Sequence, residues 1–191
     1  MITRLFEIIG KTRDDAAGEA YDKISRVLGL GYPGGPAIDR SARKGNPHAV
    51  EFPRVFLEKE SYDFSFSGLK SAVLNYLNGK KMKEEAIVVE DVAASFQLAV
   101  IEVLVEKTIH CALAQKADKI CMAGGVSANS LLRGMMQEKA EENGLELYYP
   151  APILCTDNAA MIGSMAYYNY INDVKSDLYL NAVPGLKIGS R

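Results

Sequence analysis

The sequence predicts an α/β fold, and three features predict it. From residue 119 onward strand and helix patterns alternate, with strands over 119 to 123 and 145 to 149 and helices over 127 to 142 and 157 to 172. The first strand runs into Gly124-Gly125 and then into a helix. At such a turn glycine lets a ligand approach the backbone, and the helix start offers unpaired N–H groups and a positive dipole end. Ahead of this block, Val92, Phe96, Val100, Leu104 and Ile109 recur at helical spacing in a long helix from about Glu85 to Lys116, broken near its start.

The remaining elements follow in order. Leu5-Phe6-Glu7-Ile8-Ile9 reads as a strand, and Thr12-x-x-Asp15 as a capping box, with Asp where Glu or Gln is usual, opening a helix through about Leu28. Gly29 and Gly31 stop that helix. Residues 31 to 36 form a Pro/Gly loop, Ala37 to Lys44 a short helix, and an irregular Pro-containing stretch reaches Tyr62. Ser67 caps a helix to about Leu77, and Asn78-Gly79-Lys80-Lys81 reads as a turn. Gly144 ends the helix of 127 to 142, and the tail after Asp173, with Pro184, Gly185 and Gly189, frays.

At 191 residues with 48% hydrophobic content the chain can bury one sizeable core. Lys and Arg total 22 against 24 acidic residues, a net charge of -2, so global electrostatics do not support autonomous nucleic-acid binding. Any such contact is local or shared. Cys111, Cys121 and Cys155 show no C-x-x-C spacing, and two of them sit in apolar surroundings typical of buried residues, which points to a reducing cytoplasm. No apolar stretch reaches membrane-spanning length and no basic, apolar leader opens the chain, so neither membrane insertion nor secretion is expected.

Asp15, Glu19 and Asp22 fall on one helical face, beside Asp14. Acids early in a helix complement its dipole, which accounts for Asp14 and Asp15 better than for Asp22. Gly34-Gly35-Pro36 with Asp39 reads as loop punctuation or as a ligand loop. Gly124-Gly125 with Ser127 reads as a plain turn with a serine N-cap or as a nucleotide site, and Asn129 as a solvated first-turn residue or an amide donor to a ligand. Thr156 or Asp157 ahead of Asn158-Ala159-Ala160 is a helix N-cap signature. Ser67-x-x-Lys70 has the spacing of a serine acylase, but a capping serine and a surface lysine explain it more simply.

Gly124-Gly125-Val126-Ser127-Ala128-Asn129-Ser130-Leu131-Leu132-Arg133 resembles the TsaD family, the tRNA threonylcarbamoyl transferase subunit whose older name is O-sialoglycoprotein endopeptidase. Asp14-Asp15-Ala16-Ala17-Gly18-Glu19-Ala20-Tyr21-Asp22-Lys23, Gly31-Tyr32-Pro33-Gly34-Gly35-Pro36-Ala37-Ile38-Asp39, Asp63-Phe64-Ser65-Phe66-Ser67-Gly68-Leu69-Lys70 and Cys155-Thr156-Asp157-Asn158-Ala159-Ala160-Met161-Ile162 follow in that family's order. The resemblance covers roughly residues 5 to 172 and the later part of a family member. It implies the C-terminal half of an actin-like ATPase (ASKHA, ribonuclease H-like) protein of two domains. Residues 1–173 would be the nucleoside-binding part and 174–191 a C-terminal tail.

The resemblance also implies roles. Asp22 would hold ribose hydroxyls, Gly35 and Asp39 would line the same nucleoside pocket with Gly124 and Gly125, and Asn129 would bond the purine or sugar. Asp157 would be a ligand to iron or zinc beside two histidines of a His-x-x-x-His helix in the other half. His48 and His110 match neither histidine, so the metal site is incomplete in this chain. The family's Ser-Gly-Gly-His-Thr phosphate string is missing or reduced to Met1-Ile2-Thr3.

The function implied is transfer of threonylcarbamoyl from an adenylate to the adenosine next to a tRNA anticodon, with ATP and TsaB- and TsaE-like partners. This chain alone would be inactive and would self-associate through the uncovered apolar side of helix 157 to 172. A non-catalytic, actin-like nucleotide- or partner-binding module is the alternative. A metalloendopeptidase is a third reading, against which stands the lack of His-Glu-x-x-His.

Overall fold

Helix α4 (Val89–Ala114) organises the structure, a computed structural model that describes residues 6–58 and 61–184. It carries apolar residues on every side and is buried along most of its length, as a helix without a polar face must be. Its first half meets α1 (Ala17–Val27), α2 (Gly34–Ala42) and α3 (Ser67–Met82), where Tyr21, Ile24, Ile38, Leu69 and Val73 pack with Val92, Phe96 and Val100. The Tyr21 and Phe96 rings meet edge to face at 5.3 Å, a geometry worth about 0.5–1.5 kcal/mol beyond area burial.

The second half of α4 carries Ile101, Val105 and Ile109 into a second cluster with Ile120, Leu132, Met136, Ala140 and Leu145. Those residues come from a βαβ unit of β1 (Lys119–Cys121), α5 (Ser130–Glu142) and β2 (Glu146–Tyr148). The two strands pair in parallel, with Lys119 opposite Glu146 and Cys121 opposite Tyr148, so α5 is the crossover that parallel pairing requires. All of this lies in one compact unit, Gly10–Thr156. A second unit includes the described residues from Asp157 to Pro184, and its helix α6 (Ala159–Ile171) has no buried residue. The uncovered apolar side expected there is present: Met161 is 51% and Ile162 65% exposed. No helix among the described residues is long and apolar enough to cross a membrane.

Several boundaries differ from the sequence reading. Leu5 lies outside the described residues, and residues 6–9 form no strand; Phe6, Ile8 and Ile9 are exposed. The Thr12 capping box does not form. Thr12 Oγ1 donates to the Asp15 carbonyl, and α1 begins only at Ala17, without a side-chain cap. Helix α2 starts at Gly34, inside the expected loop, because Pro33 has extended backbone suited to an N-cap and Pro36 falls in the first turn, where no N–H is needed. Helix α3 continues through Asn78-Gly79 to Met82, with Lys80 and Lys81 favourably placed against its C-terminal dipole. Ser67 is its first residue rather than its cap.

Ser127 does not cap a helix; it is buried and donates to the Gly124 carbonyl within a 3-10 turn of Gly125–Ala128. Asn129 caps α5 instead, and Asn158 caps α6 in place of Thr156 or Asp157. Of the cysteines, Cys155 is buried, Cys111 half-buried and Cys121 exposed. The tail glycines Gly185 and Gly189, and Met1-Ile2-Thr3, lie outside the described residues.

Candidate functional site

Four stretches of sequence surround one cavity of about 780 Å3, among them two glycine pairs, one opening α2 and the other at the 3-10 turn before α5. One wall is α1 and the start of α2, contributing Asp22, Gly35 and Asp39; the opposite wall is the turn of Gly125, Val126, Ala128 and Asn129. Cys155 and Thr156 close one side. Five of the residues singled out by sequence, Asp22, Gly35, Asp39, Gly125 and Asn129, therefore share one space of the volume usual for a small-molecule site. Gly124 is adjacent to it but not in its lining. Asp157 belongs to the other compact unit, just before the Asn158 cap of α6.

Each wall is held by side chains that leave part of their hydrogen-bonding capacity over. Gly34 N–H donates to Asp22 Oδ1 at 2.7 Å, tying the start of α2 to α1. The approach is so close that a Cβ on Gly34 would lie 2.5 Å from Asp22 Cα. Asp22 is half-buried, and its Oδ2 has no hydrogen-bond partner among the described residues. Asp39, buried, accepts from Ser130 Oγ at 2.8 Å and from Arg43 Nη2 at 2.8 Å, bridging α2 to the first turn of α5. The Tyr21 hydroxyl is buried in the same wall without a hydrogen-bond partner among the described residues, and burial together with the Asp39 charge pushes the phenol well above its ordinary range.

The opposite turn is pinned by Arg133. Its Nε donates to the Ser127 carbonyl at 2.6 Å and its Nη2 to the Pro150 carbonyl at 2.7 Å, while the guanidinium lies 4.5 Å from the Tyr149 ring centre and 3.2 Å from Cys155 Sγ. Gly124 adopts φ +83°, a conformation that L side chains rarely enter. The unpaired helix-start N–H groups expected after Gly124-Gly125 are not all free: Leu132 N–H already donates to Asn129 Oδ1 at 3.0 Å. The 3-10 turn separates the start of α5 from the glycines, and the cavity is lined by residues of that turn together with Asn129, the N-cap of α5.

The acidic cluster separates by role. Asp15 and Glu19 share Lys23, at 2.7 and 2.8 Å, and only Asp22 faces the cavity. Asp14 serves α3: its Oδ1 accepts from Phe66 N–H at 2.9 Å and its Oδ2 from Ser65 Oγ at 2.5 Å. Lys70 lies 3.8 Å from Asp15 Oδ2 as an ion pair, and the Ser67 hydroxyl lies 3.5 Å from that of Ser65. His110 packs on the Tyr62 ring, and no three His, Cys, Asp or Glu side chains among the described residues gather into a group that could hold a metal.

Sequence reasoning missed Gln97, Ser130, Arg43 and Arg133. Arg43 was findable four residues after Asp39 on one helix. Gln97 carried a weaker signal, as a lone amide in an otherwise apolar stretch of α4.

Comparison with known proteins agrees with the family resemblance. The family model described as TsaD, tRNA N6-adenosine threonylcarbamoyltransferase, matches residues 1–164. A tRNA N6-adenosine threonylcarbamoyltransferase of Clostridioides difficile is 63% identical over 96% of this chain and 54% of its own length; one from Clostridium botulinum is 56% identical over 97% and 55%. The chain thus spans about half the length of the curated relatives it matches. Among solved structures, HypF from T. kodakarensis superposes with a TM-score of 0.57 at 22% identity, over 82% of this chain and 20% of that one, a likeness of α/β fold alone.

Proposed function

The chain belongs to the TsaD family, the tRNA N6-adenosine threonylcarbamoyltransferases, and from that premise we propose that its cavity holds the nucleoside of an adenylate. The observation that carries this reading is the convergence of Asp22, Gly35, Asp39, Gly125 and Asn129, distant in sequence, on one cavity. The chemistry suits the ligand. The unpaired Asp22 oxygen accepts a ribose hydroxyl, Gly35 offers bare backbone to a flat base or sugar, and Asn129 supplies an amide.

In the reaction we propose for the complete protein, the N6 amine of a tRNA adenosine attacks the carbonyl of a threonylcarbamoyl–phosphate anhydride. The amine loses a proton and AMP leaves. This chain's part is to hold the adenosine end of that leaving group and fix the anhydride's position, which lowers the entropic part of the barrier. ATP, tRNA and TsaB- and TsaE-like proteins are the partners of the same proposal. Fold and extent go with it: the C-terminal half of an actin-like ATPase domain, with residues 1–173 as the nucleoside part and 174–191 as a tail.

The family's iron or zinc does not fit the residues here. Asp157 is a single carboxylate outside any group of metal-binding side chains among the described residues, so no step is assigned to a metal.

Calorimetric titration of ATP, ADP and AMP into the chain, with Asp22→Ala and Asn129→Asp as controls, tests the reading. Saturable binding lost in both variants is expected; absence of binding by the parent chain sinks it. Self-association belongs to the same proposal and is checked by light-scattering mass at several concentrations, a strict monomer counting against it.

A further inference from the structure

Asn129 is not a free amide at the cavity wall. Its Oδ1 accepts from Leu132 N–H at 3.0 Å, and its Nδ2 donates to Gln97 Oε1 at 2.8 Å. Both residues are buried, Asn129 at 8% and Gln97 at 4% exposure, and Gln97 comes from α4, thirty-two positions away. The two bonds lock the carboxamide in one sense. Reversing it would set its NH2 group against the Leu132 N–H and its oxygen against the Gln97 oxygen, leaving two buried donors and two buried acceptors without partners. What remains for the cavity is one Nδ2 hydrogen and one Oδ1 lone pair, in fixed positions.

We infer that Gln97 is a positioning residue for the nucleoside: without touching the ligand, it sets the Asn129 carboxamide before the ligand arrives, so binding need not order that side chain. The inference rests on the nucleoside reading above. A side chain pre-set by a buried partner loses no rotamer freedom on binding, which is how a supporting residue strengthens affinity. A purely structural Gln97 would only staple α4 to the start of α5. The two roles differ in what a ligand feels.

Gln97→Met removes the acceptor while keeping length and burial, and Gln97→Glu keeps an oxygen acceptor for Nδ2. AMP titration is expected to show affinity about two- to tenfold weaker in Gln97→Met, the worth of one neutral hydrogen bond, and close to the parent value in Gln97→Glu. In nitrogen–proton spectra of the parent chain, the two Asn129 side-chain protons should be resolved, one of them exchanging slowly with water, and should shift when AMP is added. Equal AMP affinity in Gln97→Met and parent overturns the inference and leaves the nucleoside site standing. Parent protein that binds no AMP overturns both. Should Gln97→Met fail to fold, the parent spectra decide: Asn129 protons that exchange as fast as those of an exposed asparagine, or that ignore AMP, defeat the positioning role.

Discussion

Gly34-Gly35 and Gly124-Gly125 are the same dipeptide at the start of α2 and at the 3-10 turn before α5, and in each pair only the second glycine lines the cavity. The first member of each pair serves the fold, but for different reasons. Gly34 is required by packing, since a Cβ there would lie 2.5 Å from Asp22 Cα and 2.6 Å from the Tyr21 carbonyl oxygen. Gly124 has open space around it but a φ of +83° that side chains strain to adopt. The second members have neither reason. A Cβ on Gly35 would meet nothing within 4 Å, and one on Gly125 would make an ordinary 3.7 Å contact with Thr156. Both line the cavity wall, and the nucleoside proposal gives them their reason, as bare backbone that a ligand can approach closely.

Substitution can break that division. Gly34→Ala carries the largest expected effect, a stability loss of about 2–3 kcal/mol from overpacking against backbone that cannot yield, with loss of the nucleotide site; denaturant melts check it. Gly124→Ala should cost about 1–2 kcal/mol through backbone strain, read in the same way. Gly35→Ala should reverse the sign on stability, leaving it unchanged or raising it by up to about 1 kcal/mol because alanine is the better helix former, while nucleotide affinity falls about tenfold. Melts and titrations on one preparation separate the two effects. Equal behaviour of Gly34→Ala and Gly35→Ala would remove the distinction.

The smallest effect lies outside both glycine pairs. Burial pushes the Asp14 carboxyl up, but hydrogen bonds from Ser65, Phe66 and Ser67 outweigh it and hold the pKa at about 2, below the ordinary 3.8. A carboxyl depressed in the folded state contributes stability above its unfolded pKa and loses it as pH falls towards 2. Asp14→Asn should therefore flatten the stability curve between about pH 4 and pH 2 and leave nucleotide binding at neutral pH intact, as urea melts across that range would show.

How much was legible depended on whether the deciding atoms were close in sequence. Gly29 and Gly144 were readable as helix stops because a left-handed C-terminal residue is a local requirement, and both have positive φ, +72° and +67°. The βαβ order was readable from alternation. Caps were not. Helix α3 takes its carboxylate from Asp14, fifty-two positions before Phe66, and no local pattern announces that. The pairing of Glu19 with Lys23 has helical i,i+4 spacing, but Asp15 precedes α1 and meets Lys23 only in the fold, which also shows that of these acids Asp22 alone lines the cavity. Gln97 could be noticed as a polar residue in an apolar helix, but its partner Asn129 is fixed by the packing of α4 against α5.

The central claim, that the wall of Asp22, Gly35 and Asp39 and the turn of Gly125 to Asn129 together hold a nucleoside, is tested most directly by a crystal structure of the chain grown with saturating AMP. The adenosine is expected between those two walls, with a ribose hydroxyl on the Asp22 oxygen that Gly34 N–H does not use and the ligand against the bare face of Gly35. Adenosine bound elsewhere, or a cavity left without nucleotide at saturation, would contradict it.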